Sequence, residues 1–273
     1  MKRNLEGKHI LITGGSSGIG AATALACADA GMNVTLAARR EAQMQDVARE
    51  VEKRGRRALA LRCDVRSDED VRNLFAASWD HFGRLDVLFA NAGHGLCSAV
   101  LDTSDEQHRG IFETNYFGTV RCLREAAEPI RKTPDGLKHM MIVSSAASEI
   151  GLPWYGPYAA TKAAQDALAG ALRGELADEG IAVTSVHPVG TRTEFFDVAA
   201  ELAGRPSQGP NTPAAFTQSA RHVAEGVVKT IRKPRPELWP MPGARFGLAI
   251  TTAFPRLAAW VMRRHARDYA HQA

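Results

Sequence analysis

The chain has 273 residues, 45% hydrophobic and 23% charged, which suffices for the core of one α/β domain and is too apolar for a disordered chain. The formal charge of +4 comes from basic residues interleaved with acids, and with no aromatic-basic motif present it argues against a dedicated DNA or RNA binder. Cys27, Cys63, Cys97 and Cys122 lack CxxC or histidine-paired spacing, so the expectation is buried reduced thiols, with neither a disulfide framework nor a metal site.

Met1 to Lys8 runs into the first strand without an apolar signal segment, which predicts a cytoplasmic chain. His9 to Thr13 is a short apolar strand, followed by Thr13-Gly14-Gly15-Ser16-Ser17-Gly18-Ile19-Gly20 and a helix over Ala21 to Ala30 that Gly31 ends. The unit repeats as strand Asn33 to Ala38, helix Glu41 to Arg54, and strand Ala58 to Arg62. Ser67 with Asp68, Glu69 and Asp70 opens a helix reaching about Phe82, and Leu85 to Ala90 is a fourth strand. One long helix from about Ser104 to Arg131, strand His139 to Ser144, helix Tyr158 to Glu179 and strand Ala182 to His187 continue the alternation.

Residues 190–217 carry Gly204, Pro206, Gly209, Pro210 and Pro213 without a sustained period and read as a substrate lid. A helix near Thr217 to Arg232, a strand around Glu237 to Trp239, and an apolar helical extension over about 244–273 complete the chain. Alternating strands and helices predict a single α/β domain over residues 1–273, a doubly wound Rossmann-type parallel sheet with helices on both faces. Within the extension, Phe246 to Met262 is short for a membrane span and is interrupted by Pro255 and Arg256. It reads as a helix packed on its own domain or on a partner subunit. Arg263, Arg264 and Arg267 behind it also offer a peripheral membrane contact.

Glycines at a strand-to-helix turn let the backbone approach a ligand, and the helix behind them presents unpaired N–H groups to a pyrophosphate. Tyr158 and Lys162 stand one helical turn apart behind Pro157, on one helix face. A tyrosine at its ordinary pKa of about 10 is a poor acid–base group near neutrality, and a neighbouring ammonium is expected to lower that value. Such a pair alone on a helix is ordinarily a surface pair, so the surrounding motifs decide its meaning.

Those motifs resemble the short-chain dehydrogenase/reductases of the TGxxxGxG and YxxxK subgroup, over about residues 7–240. Thr13 to Gly20 matches the glycine motif, Asp64-Val65 the acidic position at the adenine, and Asn91-Ala92-Gly93 the NAG segment. Asn115, Ser145, Tyr158 and Lys162 match the catalytic tetrad, and Pro188 to Thr193 the segment that holds the nicotinamide carboxamide. Ala90 and Val189 depart from the pattern, the second where glycine is usual beside the nicotinamide. The resemblance implies a cofactor site of Gly14, Ser16, Ser17, Gly18, Ile19, Gly20, Arg39, Arg40, Asp64, Val65, Asn91, Ala92, Gly93, Tyr158, Lys162, Pro188, Val189, Gly190, Thr191 and Thr193.

It also implies that Tyr158 moves the proton as hydride passes between nicotinamide and substrate, and that Lys162 lowers its pKa and holds the ribose. Ser145, ahead of Ser144, binds the substrate oxygen, and Asn115 holds a water that links Lys162 to solvent. At the tip of the second strand the chain reads Ala38-Arg39-Arg40 with no acid, so a 2′-phosphate is expected on Arg39 first and Arg40 second. The cofactor expected is therefore NADP(H), ahead of NAD(H).

Ala147, Ile150, Leu152, Trp154, Tyr155, His94, Phe195 and Phe196 are expected over the nicotinamide. They suit a hydrophobic ketone, aldehyde or secondary alcohol, such as a steroid, retinoid, oxoacyl or xenobiotic compound. The alternative is a non-catalytic NADP(H)-binding regulatory protein, whose mark would be loss of Tyr158 or Lys162; both are present. The small residues Ala163, Ala164, Ala167, Gly170 and Ala171 permit close helix pairing, and a homodimer or homotetramer is expected.

Overall fold

The computed structural model describes residues 3–204 and 217–270. Its centre is a seven-stranded sheet of β1 (His9–Thr13), β2 (Asn33–Ala38), β3 (Ala58–Arg62), β4 (Val87–Ala90), β5 (His139–Val143), β6 (Ala182–Val186) and β9 (Glu237–Leu238). The strands lie in the order β3-β2-β1-β4-β5-β6-β9, every pair parallel. All five residues of β1 are buried, because helices cover both faces of a parallel sheet. Side chains alternate between the two faces: Ile10 and Ile12 enter one core cluster and Leu11 the other.

The first cluster is closed by α1 (Gly18–Asp29), α2 (Glu41–Glu52) and α8 (Ala220–Arg232). The second is closed by α3 (Asp68–Phe82), α5 (Gly118–Lys132) and α6 (Gly156–Glu175). The chain builds outward from β1 through β2 to β3, then returns to place β4 on the other side of β1. The C-terminal ends of β1 and β4 therefore part at a topological switch point, where doubly wound sheets open a crevice.

Four expectations are corrected in detail. The first helix begins at Gly18 instead of Ala21, because the last glycines of the run are already helical. The single helix expected from 104 to 131 is α4 (Asp105–Phe112) and α5 joined by a π turn over Glu113–Phe117. In the 190–217 segment, β7 (Thr191–Arg192) pairs in parallel with β8 (Gln218–Ser219), and α7 (Phe195–Leu202) lies between them. Residues 205–216 of the expected lid, with Pro206, Gly209, Pro210 and Pro213, lie outside the described residues. The C-terminal extension is two helices, α9 (Pro242–Ala253) and α10 (Pro255–Ala270). They part at Pro255, which cannot donate an N–H to a continuing helix and suits the first position of the next.

All four cysteines are free and buried. Among the described residues no helix is long and apolar enough to cross a membrane.

Candidate active site

The turn from β1 into α1 is built for close approach. Gly14 has φ +68°, and a Cβ there would stand 2.8 Å from Asn91 Nδ2. Asn91 is itself pinned to the turn: its Nδ2 donates to the Thr13 carbonyl at 3.0 Å and the Gly14 carbonyl at 3.2 Å. The Thr13 hydroxyl accepts the N–H groups of Asn91 at 3.1 Å and Ala92 at 3.0 Å. The glycine run and the Asn91–Gly93 segment thus form one rigid wall of the crevice, and Thr13 is the joint between them. α1 then starts at Gly18, behind an extended Ser17 whose hydroxyl makes no cap bond, and its first turn carries no acid. Those unpaired N–H groups and the cradle that a Cβ would fill fit a pyrophosphate.

At the tip of β2 the two arginines differ. Arg40 Nη1 pairs with Glu194 at 2.8 Å, and its Nη2 donates to the Ser17 hydroxyl at 2.6 Å. Arg39 is exposed on the rim and makes no hydrogen bond or ion pair among the described residues. Asp64 is gripped by Arg66 through both carboxylate oxygens, and that guanidinium holds its carboxyl below the usual range.

Ser145, Tyr158 and Lys162, the expected catalytic residues, come from the turn after β5 and from α6. Ser145 caps a short 3-10 turn over Ala146–Glu149, and its hydroxyl accepts the Ala147 N–H at 3.1 Å. It also hydrogen-bonds Tyr158. Ser144 is buried and donates to the Lys162 carbonyl at 2.9 Å, a structural bond that leaves Ser145 as the serine at the tyrosine. Burial pushes Tyr158 up to about 12, with the Ser145 hydrogen bond acting against it. This reverses the direction expected from the lysine one turn away. Burial also pushes Lys162 down to about 7, so the amine is a weak source of positive field. Lys162 Nζ lies 5.6 Å from the Tyr158 ring centroid and donates to the Val143 carbonyl and Gln165 Oε1, each at 2.8 Å.

Asn115 lies in the π turn and is fully buried. Its Nδ2 donates to the His94 carbonyl and to the Thr161 hydroxyl, each at 3.0 Å. Its own carbonyl accepts from Thr119 and from Gln165 Nε2, each at 2.7 Å. Gln165 thus links the Asn115 carbonyl to Lys162 through its side-chain amide.

A cavity of about 820 Å³ gathers these groups. Its wall includes Gly14, Ser16, Ser17, Gly18, Ile19, Arg39, Arg40, Asp64, Val65 and Asn91 to Gly93 at one end. Ser145, Tyr158, Lys162, Pro188 to Thr191 and Thr193 form the other. Two expected residues stand back from it. Gly20 packs against the first glycine, where a Cβ would meet the Gly14 carbonyl at 2.1 Å, and Asn115 acts through its neighbours. Of the residues expected over the nicotinamide, His94, Ala147, Ile150, Leu152, Tyr155, Phe195 and Phe196 line the cavity. Trp154 does not: at φ +67° it packs with Cys97 and Ala199 instead. Val189, in place of the usual glycine, keeps a negative φ.

Sequence reasoning missed the roof of the cavity. Gly247, Leu248 and Thr251 of α9 and Ala258, Val261 and Met262 of α10 line it, at the helical spacing of one inner face. It also missed Glu194 and Gln165. Glu149, Asp166 and His187 bring potential ligand atoms within 4.8 Å of one another, but His187 stacks on Trp239 and bonds Ser185 and the Ser145 carbonyl. That cluster props the serine turn.

A family model described as short chain dehydrogenase matches residues 8–202. Short chain aldehyde dehydrogenase 1 of Euphorbia lathyris is 32% identical over 201 residues, covering 72% of this chain and 68% of that one. Glycine betaine reductase ATRR of Emericella nidulans is matched over 18% of its own length, and an uncharacterized oxidoreductase of Methylorubrum extorquens over 73%. A short chain dehydrogenase of Mycobacterium paratuberculosis bound to NAD superposes with a TM-score of 0.74 at 25% identity, covering 86% of this chain and 97% of that one. An alcohol dehydrogenase of Thermococcus sibiricus complexed with 5-hydroxy-NADP gives 0.75 at 27% identity, covering 85% and 95%.

Proposed function

Because the chain belongs to the short-chain dehydrogenase family of oxidoreductases, we propose that it is an NADP(H)-dependent enzyme acting on an apolar ketone, aldehyde or secondary alcohol. The observation that carries this reading is the cavity itself. One wall offers the glycine cradle and Arg39, the other offers Ser145, Tyr158 and Lys162, and apolar side chains fill the space between.

The nicotinamide cofactor, when bound, supplies or accepts the hydride. Gly14 to Gly18 would hold its pyrophosphate, Asp64 and Val65 its adenine, Arg39 a 2′-phosphate, and Pro188 to Thr193 its carboxamide end. Ser145 holds the substrate oxygen by hydrogen bond and steadies the charge that grows there. Tyr158 gives its hydroxyl proton to that oxygen as the carbonyl carbon gains hydride, so the product is the alcohol. A phenol pushed up to about 12 is protonated near neutrality, the form that a general acid needs. Lys162 keeps its amine beside the tyrosine ring and is held there by Val143 and Gln165.

Four buried free thiols support a reducing, cytoplasmic setting. Ala163, Ala167, Gly170 and Ala171 lie exposed along α6, which supports pairing through α5 and α6 into a homodimer or homotetramer. Sedimentation showing only monomer would remove that part of the proposal.

The deciding experiment compares NADPH and NADH oxidation by the wild type and Tyr158→Phe across apolar carbonyls, with cofactor binding followed in parallel. The expected result is NADPH-dependent turnover that drops by at least about 100-fold in the variant while binding is retained. Tight binding without turnover of any carbonyl, or of the matching alcohols, would make the protein a non-catalytic NADP(H)-binding regulator.

A further inference from the structure

The two helices that roof the cavity turn a different face outward. Phe246, Ile250, Phe254, Leu257 and Trp260 recur at helical spacing across α9 and α10 and are exposed, Phe246 to 71% and Trp260 to 59%. Arg256, Arg263, Arg264 and Arg267 are exposed on the same pair of helices, and Arg245 is exposed there too but pairs with Glu237 at 2.9 Å. Trp260 sits in a shallow hollow with Arg256, Arg263, Arg264 and Arg267. Residues 241–267 contain no aspartate or glutamate.

We propose that the outer face of α9 and α10 docks on an anionic lipid bilayer, from which the cavity roofed by the same helices draws apolar substrate. Bulky apolar side chains beside unopposed guanidinium groups form the pattern of a helix that lies in a lipid interface, and Trp260 is the residue type that anchors there. The charge selects the partner. Arg256, Arg263, Arg264 and Arg267, which have no ion-pair partner among the described residues, repel a second copy of the same face, whereas anionic headgroups neutralise them without a fixed register. The inner faces of these helices line the cavity through Leu248, Val261 and Met262, so one element meets both lipid and substrate. This inference rests on the oxidoreductase reading for its substrate but not for its docking step.

The test uses full-length protein with vesicles of phosphatidylcholine alone and of phosphatidylcholine mixed with phosphatidylserine. Co-sedimentation is expected with the mixed vesicles, weakening as salt rises. The double variant Arg263→Glu, Arg264→Glu lowers the partition coefficient by about 30-fold or more, and Trp260→Ser lowers it independently. Both variants keep NADPH binding and the rate on a water-soluble carbonyl, while losing rate on a long-chain ketone dissolved in mixed vesicles. Protein left in the supernatant with mixed vesicles would overturn the proposal. So would vesicle binding indifferent to both variants, or a lipid-free oligomer that Trp260→Ser dissociates, since a second copy would then cover the face. Vesicle binding without turnover of any carbonyl would leave docking standing and remove the oxidoreductase reading.

Discussion

Lys162 and Gln165, three residues apart on α6, are hydrogen-bonded to each other inside the fold, Nζ to Oε1 at 2.8 Å. The glutamine amide continues the connection to the Asn115 carbonyl and the Thr119 hydroxyl, each at 2.7 Å. Lys162, Asn115 and Thr119 are therefore held together by one side chain that is fully buried.

Gln165→Leu removes one of the two acceptors of a buried amine and disfavours its ammonium form, so the Lys162 pKa falls further from about 7. A hydrogen bond to a charged group contributes about 1.5 to 3 kcal/mol, so kcat is expected to drop by an order of magnitude or more. Gln165→Glu restores an acceptor and raises the Lys162 pKa. The check is the pH profile of kcat in both variants; superimposable profiles would mean that Gln165 is only core filling.

The cofactor choice turns on Arg39 and Glu194. Arg39→Asp places a carboxylate at the tip of β2 and should raise the KM for NADPH at least about tenfold, with NADH less affected, because a charge-assisted contact becomes a repulsion. Glu194→Gln releases Arg40 from its 2.8 Å ion pair and should tighten NADPH modestly, since both partners are solvent-exposed. Titration of each variant with both nucleotides separates these effects. Equal responses to NADPH and NADH would remove the 2′-phosphate assignment.

Gly247 lines the cavity on α9, and a Cβ there meets nothing within 4 Å. Gly247→Leu should stabilise the helix by up to about 1 kcal/mol, a Tm rise of about 2 to 4 °C. It should also lower kcat/KM for bulky carbonyls while sparing small ones. A steady-state comparison of a short and a polycyclic ketone tests this.

His9 and His139 are buried, and burial lowers them from 6.5 to about 4 and about 3. Between those values the unfolded chain binds more protons than the folded one. Their contribution to stability is therefore fully present above pH 6.5 and is lost as the pH falls through about 4 and about 3. Each histidine can add a slope of up to about 1.4 kcal/mol per pH unit. Urea midpoints across this range should fall steeply for wild type and less steeply for His139→Gln.

The alternation of strands and helices, the glycine run and the Tyr158–Lys162 spacing were legible in the sequence because each depends on local periodicity or a backbone conformation that few residues tolerate. Ser67 as a helix cap was legible for the same reason, its hydroxyl accepting the Asp70 N–H at 3.1 Å. What tertiary structure alone decided are contacts between residues far apart in the chain. Arg40 meets Glu194 across 154 positions, and Gln165 reaches Asn115 across 50. Trp154 turns away from the cavity that Tyr155 lines, and the two sides of α9 and α10 separate into a cavity roof and an exposed basic, apolar surface. Tyr158 shows the limit most directly. A lysine one turn away argued for a lowered pKa, but packing buries both groups, and desolvation exceeds the attraction that the spacing suggests.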